Sequence, residues 1–146
     1  MFTREQLSAI EEIKQLKANY FYYVDNRMTD QLQELFTDDC EWKMGPMGTV
    51  KDKTTYFENV RKYNEKDPRQ ISVHQGFDPV IELLSETSAK ARWSMRAVAQ
   101  WPGDAPRDGK YTEHDGSGYY YETYVKTGKG WLISSQEVVL RISKYA

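Results

Sequence analysis

The feature that most constrains the fold is a change of hydrophobic periodicity along the chain, from helical near the start to strand-like in the second half. From Thr3 to Asn26 the apolar residues recur at helical spacing: Ile10, Ile13, Leu16, Tyr20 and Val24. This spacing predicts one long amphipathic helix. Its opposite, polar face comprises Glu11, Glu12, Lys14, Gln15 and Lys17. From Ala89 to Trp101, apolar and polar residues alternate instead, as in a half-buried strand.

The remaining segments predict two shorter helices and a series of strands. The helices are expected at 31–36 and 54–63, and the strands at 40–44, 71–77, 79–84, 118–127 and 131–144. The run Thr127-Gly128-Lys129-Gly130 predicts a hairpin between the last two strands. Helices followed by a meander of long strands predict an α+β fold, with helices on one side of a curved antiparallel sheet. The concave face of such a sheet can enclose a ligand.

Composition limits the kinds of partner and site. A length of 146 residues fits a single domain spanning 1–146. The net charge of -2, without a dense Lys/Arg block, argues against nucleic acid as a partner. Cys40 is the only cysteine, so an intrachain disulfide and a multi-cysteine metal site are excluded. No apolar leader or membrane-length segment is seen, and we expect a cytoplasmic protein that does not bind membranes.

The sequence has no glycine-rich phosphate loop, no metal-binding His or Cys spacing and no Gly-x-Ser-x-Gly nucleophile motif. We therefore expect neither a cofactor nor a metal. Aromatic residues are abundant at 14% of the chain. They can fill a core, and they can also line a pocket that offers apolar area and hydrogen-bonding edges.

The chain has two histidines, His74 and His114, whose surroundings differ. His74 lies in a predicted strand, on the parity opposite to the apolar residues and between the small residues Ser72 and Gly76. This leaves room for a ligand at the imidazole, although a structural or surface histidine fits the same pattern. His114 lies in a polar, loop-like run and is expected to be solvated.

Asp25 ends the predicted first helix, where its charge opposes the helix dipole by about 0.3–1 kcal/mol. An ion pair with Arg27, or a turn that simply ends the helix, would explain this position. Alternatively, Asp25 faces inward and orients a histidine, fixing its tautomer and stabilising the imidazolium that forms on proton abstraction. The local pattern leaves these explanations open.

Four other residues are candidates for the wall of a cavity. Tyr20 lies on the apolar stripe of the first helix, where it either packs in the core or donates a hydrogen bond to a substrate oxygen. Trp42 and Trp93 fit the core first and a pocket wall second. Arg141 shares the strand parity of Trp131, and a guanidinium on an inward-facing parity would need an anionic partner or ligand.

The chain also resembles a known family over nearly its whole length. The resemblance is carried by residues 9–17, 20–21, Asp25, 35–39, Trp42, 73–76, 91–93, 119–126 and Trp131. In this order they resemble the SnoaL-like branch of the nuclear-transport-factor-2-like superfamily, which includes bile-acid 7-alpha-dehydratase, scytalone dehydratase and hexachlorocyclohexane dehydrochlorinase. The resemblance implies a cone-shaped, NTF2-like or cystatin-like α+β barrel around one pocket. It also implies a homo-oligomer, for which we expect a trimer rather than a dimer. We expect it to bury the convex face of the sheet, because Val98, Tyr120 and Tyr124 lie on the outward parity of their strands.

The resemblance assigns roles to particular residues. Asp25 and His74 match the catalytic dyad of the family, and Tyr20 matches a tyrosine of the bile-acid enzyme, although the dehydrochlorinase has lysine there. Arg141 matches an arginine near the end of the last strand of the bile-acid enzyme. Trp42 matches a pocket tryptophan of the dehydrochlorinase.

Trp93 aligns with a second histidine of scytalone dehydratase, so the match to that enzyme is incomplete. Arg141, Trp42 and Trp93 are thus the candidate substrate-binding residues, and Asp25, His74 and Tyr20 the candidate catalytic ones.

Two functional hypotheses follow. In the first, the protein is a cofactor-free lyase that removes water or another small group from a hydrophobic cyclic substrate, with His74 as the base. The same residues would also serve an isomerase or a polyketide cyclase. In the second, the pocket holds a hydrophobic ligand without turnover. A hydrogen bond between Asp25 and His74 inside a cavity would favour chemistry over binding.

Overall fold

The computed structural model describes all residues, 1–146. Its helices are α1 (Arg4–Asp25), α2 (Thr29–Gln33) and α3 (Lys53–Lys66), with a 3-10 turn at Gly45–Met47. Its strands are β1 (Phe36–Lys43), β2 (Thr49–Val50), β3 (Ile71–Leu83), β4 (Ser88–Gln100), β5 (Glu113–Thr127) and β6 (Gly130–Tyr145). None of the helices is both long and apolar enough to cross a bilayer.

The strands form one six-stranded sheet in the order β2-β1-β6-β5-β4-β3. The sheet is curved but not closed, since β2 and β3 are its free edges. The predicted α+β class is confirmed. The expectation of a purely antiparallel sheet is wrong in one pair, because β1 runs parallel to β6. Most of the chain lies between β1 and β6, so no hairpin joins these two strands. Without a hairpin, either strand direction is possible.

Strand β3 is continuous where the sequence predicted a break at Asp78-Pro79. The pairing with β4 shifts between Phe77 and Val80, which marks a β-bulge. Asp78 adopts a left-handed backbone with φ of 49°. A bulge on an edge strand tolerates proline because the missing N–H interrupts no ladder there. The predicted interruption is thus a bend within one strand.

Helix α1 packs its apolar stripe against the concave face of the sheet. It begins with a capping box between Thr3 and Gln6, and it buries Ile13, Leu16 and Tyr20. Lys17, which was expected on the polar face, is completely buried. It lies four residues after Ile13 and therefore on the same face of the helix.

Strand β6 changes its inward-facing parity along its length. Trp131 and Ile133 are buried, whereas further along the strand it is Gln136 that is buried. The cause is a register shift against β5, where Ser134 is an extra residue between the pairs Thr123↔Ser135 and Tyr124↔Ile133. Beyond this bulge, the even-numbered residues from Gln136 to Leu140 face inward.

Candidate active site

Asp25 and His74 meet between the end of α1 and the middle of β3. The Oδ1 atom of Asp25 lies 2.6 Å from Nδ1 of His74. The carboxylate also accepts hydrogen bonds from the backbone N–H of His74 at 2.9 Å and from the Ser72 hydroxyl at 3.1 Å. Three contacts thus fix Asp25, and they favour the tautomer in which Nδ1 of His74 carries the proton.

The end of α1 is held independently of this pair. Arg27 adopts a left-handed backbone with φ of 54°, which stops the helix. Its guanidinium donates to the carbonyls of Asn64, Asp67 and Gln70 and to the Gln70 side chain. No ion pair forms between Arg27 and Asp25, so the simple explanation of a local charge pair at the helix end is wrong.

The imidazole of His74 borders a cavity of about 500 Å³, whose wall is hydrophobic at 18 of its 28 residues. The side chains of His74 and Asp25 are 22% and 19% exposed. Nε2 of His74 has no hydrogen-bond partner within the protein. The small residues expected beside His74 are also explained: Ser72 contacts Asp25, and a Cβ on Gly76 would lie 2.6 Å from the ring of Phe21.

Tyr20 borders the same cavity, as expected. Its hydroxyl lies 3.5 Å from the side-chain oxygen of Gln136. Burial raises the pKa of this hydroxyl well above its usual range, so it remains a proton donor at neutral pH. Tyr120 also borders the cavity and is buried, so its expected outward-facing parity is wrong.

Trp42 and Trp93 are core residues and do not border the cavity. Trp42 stacks on Tyr56 with ring centroids 4.0 Å apart, and it is Tyr56 that forms the cavity wall. Trp93 donates from Nε1 to the hydroxyl of Tyr124 at 3.0 Å. Of the alternatives that the sequence left open, core packing is therefore correct for both tryptophans.

Arg141 is exposed and lies outside the cavity, so its expected inward orientation is wrong. The bulge at Ser134 reverses the parity that Arg141 was assumed to share with Trp131. Arg141 itself is a second extra residue, between the pairs Ser117↔Ile142 and Gly118↔Leu140. Its side chain borders a shallow depression on the opposite, convex face of the sheet.

A buried ionic network beneath the cavity was not predicted. Nζ of Lys17 lies 2.8 Å from Oε2 of Glu122, and both side chains are fully inaccessible. Glu122 also accepts hydrogen bonds from Tyr124 at 2.7 Å and from Gln136 at 2.6 Å. Burial lowers the pKa of Lys17 to about 8, against the opposing effect of Glu122. A lysine at a helical core position was the available sequence signal for this network.

His114 borders the mouth of the cavity, in contrast to its expected solvated loop. It lies on β5, its Nε2 is 2.9 Å from the Ser143 hydroxyl, and its ring stacks on Tyr145. Burial lowers the pKa of His114. No group of three or more His, Cys, Asp and Glu side chains is arranged to hold a metal ion.

A curved sheet and helices around a hydrophobic cavity, with His74 on its wall and Asp25 behind it, form the architecture of NTF2-like, cavity-bearing domains. The family model of the SnoaL-like domain matches residues 5–137. The chain therefore belongs to the SnoaL-like family.

Solved structures share this fold over almost the full length of the chain. A putative scytalone dehydratase from Novosphingobium aromaticivorans has a TM-score of 0.87 and 21% identity, covering 99% of this chain and 92% of that one. A hexachlorocyclohexane dehydrochlorinase from Novosphingobium barchaimii has a TM-score of 0.79 and 17% identity, covering 97% and 92%. At these identities the likeness establishes the fold alone.

Proposed function

We propose that this protein is a cofactor-independent lyase that carries out a dehydratase-type β-elimination on a hydrophobic cyclic substrate. The observation that carries the proposal is the Asp25–His74 contact of 2.6 Å at the wall of the cavity. Because Nδ1 of His74 is committed to Asp25, the unpartnered Nε2 is the atom free to accept a proton. The names of two structural relatives, a dehydratase and a dehydrochlorinase, also support elimination chemistry.

The reaction begins when Nε2 of His74 removes a proton from a carbon next to a carbonyl group. The electrons of that C–H bond form the new C=C bond as the C–O bond to the leaving group breaks. Asp25 stabilises the imidazolium, and Tyr20 donates a hydrogen bond to the carbonyl or leaving oxygen. The imidazolium returns its proton to the departing hydroxide, so that water leaves and His74 is neutral again.

The cavity supports a ring system as the substrate. A volume of about 500 Å³ lies within the range of small-molecule sites, and aromatic side chains supply much of its wall. We propose a steroid-like or polyketide-like β-hydroxy ketone.

The test is a screen of such ketols for the absorbance of the conjugated enone, with mass spectrometry to establish the loss of water. No turnover of any cyclic ketol, combined with tight binding, would favour the binding-module hypothesis. An isomerase or cyclase uses the same proton abstraction, and its product would keep the mass of the substrate.

We also propose that the protein assembles through the convex face of the sheet, as a trimer rather than a dimer, and acts in the cytoplasm. The expected outward orientation of Tyr120 and Tyr124 is wrong because both are buried, and Val98 borders the cavity. Other large apolar residues of the sheet are exposed: Ile71, Val73, Phe77, Val80, Tyr121 and Ile142. Light scattering that detects only a 17.1 kDa monomer at micromolar concentration would contradict this assembly.

A further inference from the structure

The charged groups of the cavity wall all have the same sign. The ionisable side chains that border it, apart from tyrosines, are Arg27, His74, Arg107 and His114. No aspartate or glutamate borders the cavity, although the chain as a whole carries a net charge of -2. Asp25 lies behind His74, and its carboxylate is hydrogen-bonded to the imidazole. The wall therefore offers hydrogen-bond donors without a competing carboxylate.

Arg107 is the arginine of this wall with donors to spare. Arg27 is occupied by backbone carbonyls, as described above. Arg107 donates from Nη1 to the hydroxyl of Tyr145 at 2.7 Å, and Nη2 has no partner within the protein. Its Nε is 3.6 Å from the exposed Asp108, which also contacts Lys66 at 3.2 Å. The only carboxylate near Arg107 is thus shared with another cation.

The position of Arg107 is fixed by its surroundings. Its guanidinium lies over the rings of Trp101 and Tyr145, at 5.6 and 5.0 Å from their centroids. Its backbone pairs with Tyr111 across a turn. Trp101 also borders the cavity, and its Nε1 is buried without a hydrogen-bond partner. The same is true of Nε1 in the core residues Trp42 and Trp131, so it is the free guanidinium nitrogen of Arg107 at the cavity wall that can receive an acceptor from a ligand.

We propose that Arg107, held over the ring of Trp101, forms an anion subsite at the cavity mouth, so that the ligand is a hydrophobic ring that carries a carboxylate or a similar acidic group. The strand register indicates the length of ligand that the cavity can hold. His74 pairs with Ala97 across β3 and β4, and Ala97 pairs with Gly116 across β4 and β5. With standard strand spacings, His74 and the neighbouring mouth residue His114 are roughly 12 Å apart. This distance suits a fused ring system. The ring orientation rests on the proposed lyase function, whereas the anion contact does not.

The test compares binding of matched acids and methyl esters, in which the anion is present or masked. A naphthalene carboxylic acid and a steroid 17β-carboxylic acid, each with its methyl ester, are titrated by calorimetry and tryptophan fluorescence. We expect at least one acid to bind about tenfold more tightly than its ester. Arg107→Gln should remove this preference and change ester affinity by less than about twofold, whereas Arg107→Lys should retain part of it.

Lys110→Gln is the matched control, because it removes the same charge from the same loop at a residue that does not border the cavity. It should leave the acid preference intact. Rising salt should weaken acid binding to the wild-type protein but not ester binding, which tests the proposal even if Arg107→Gln fails to fold.

Equal affinity of every acid and its ester, or an equal loss of both in Arg107→Gln, would overturn the anion subsite. His74→Ala should bind the acids as the wild-type protein does. An acid preference in a protein that turns over none of the cyclic ketols would contradict the lyase and leave the subsite standing, and turnover of a ketol without any acid preference would do the reverse.

Discussion

Helix α1 contributes to two ionisable pairs, and they differ in how completely the protein satisfies them. Lys17 and Glu122 are sealed in the core, where Gln136 and Tyr124 occupy further acceptor positions of the carboxylate. Asp25 and His74 lie about two helical turns further along, partly exposed at the cavity wall.

The two pairs differ in whether one of their polar atoms is left without a hydrogen-bond partner. In the cavity pair, Nε2 of His74 has no partner in the protein, so a ligand can take that position. In the core pair, no atom of either side chain is accessible to a ligand. We therefore expect changes to the cavity pair to affect turnover, and changes to the core pair to affect stability.

The largest expected effect is on turnover. His74→Ala should lower kcat by about 10²–10⁴-fold, the usual contribution of a positioned general base, and change ligand affinity only a few-fold. Asp25→Asn should cost nearly as much, and the double variant little more than either single one, because the two residues act as a unit. Steady-state kinetics and ligand titration measure these quantities. Additive losses would instead indicate that Asp25 works independently, as an isomerase base would.

Substitutions in the core pair should lower the free energy of unfolding. Lys17→Met leaves the Glu122 carboxylate buried without its cation, and we expect the free energy of unfolding to fall by about 3–5 kcal/mol. Adding Glu122→Gln should recover much of this loss. Lys14→Met, at an exposed site on the same helix, should stay within about 0.5 kcal/mol of the wild type. Denaturant titration measures each value, and a loss equal to that of the control would refute a structural role for the pair.

The core pair should also make the free energy of unfolding depend on pH in the alkaline range. Burial lowers the pKa of Lys17 from 10.5 to about 8, so the unfolded chain binds more protons than the folded one between these values. The free energy of unfolding should therefore rise with pH across this window, by about 1 kcal/mol per pH unit, through Lys17 alone. The wild type and Lys17→Met are compared from pH 8 to 9.5, below the normal ionisation of tyrosine. Identical slopes would contradict the assignment.

The smallest expected effect is that of Tyr20→Phe. The hydroxyl of Tyr20 assists by one hydrogen bond, while its ring packs against Phe36 and Tyr120 and remains in place. We expect kcat to fall by about three- to tenfold, with little change in unfolding free energy. A loss as large as that of His74→Ala would move Tyr20 from an assisting to an essential role.

Local patterns predicted α1 and the parity of β4, and they singled out Asp25 and His74 as candidates, but it was the family resemblance that paired them. The inward placement of His74 followed from alternation beside Ser72 and Gly76, which is a short-range signal. The position of Arg141 could not be predicted in the same way. Two bulges displace it, and neither Ser134 nor Arg141 is a residue type that marks a bulge.

Long-range contacts explain the other errors. Lys17 was expected on the polar face because it is charged, although its spacing from Ile13 places it on the apolar face. Its partner Glu122 is 105 residues away in the chain. Tyr120 was expected to face outward, and the consecutive tyrosines from Tyr119 to Tyr121 give no parity that would correct this. The partner of a buried charge and the face of such a tyrosine depend on tertiary packing, which a local pattern does not contain.

The bulge at Ser134 has a consequence for how this domain can diversify. It divides β6 into a stretch that supports the core and a stretch, from Gln136 to Leu140, that borders the cavity. Val138 and Leu140 can therefore be exchanged in the course of evolution to admit new ligands, without disturbing Trp131 or Ile133. A one-residue deletion at the bulge would join the two stretches and turn the cavity side chains toward solvent. Because of the extra residue Ser134, the part of β6 that packs in the core can stay constant while the part that borders the cavity changes with the ligand.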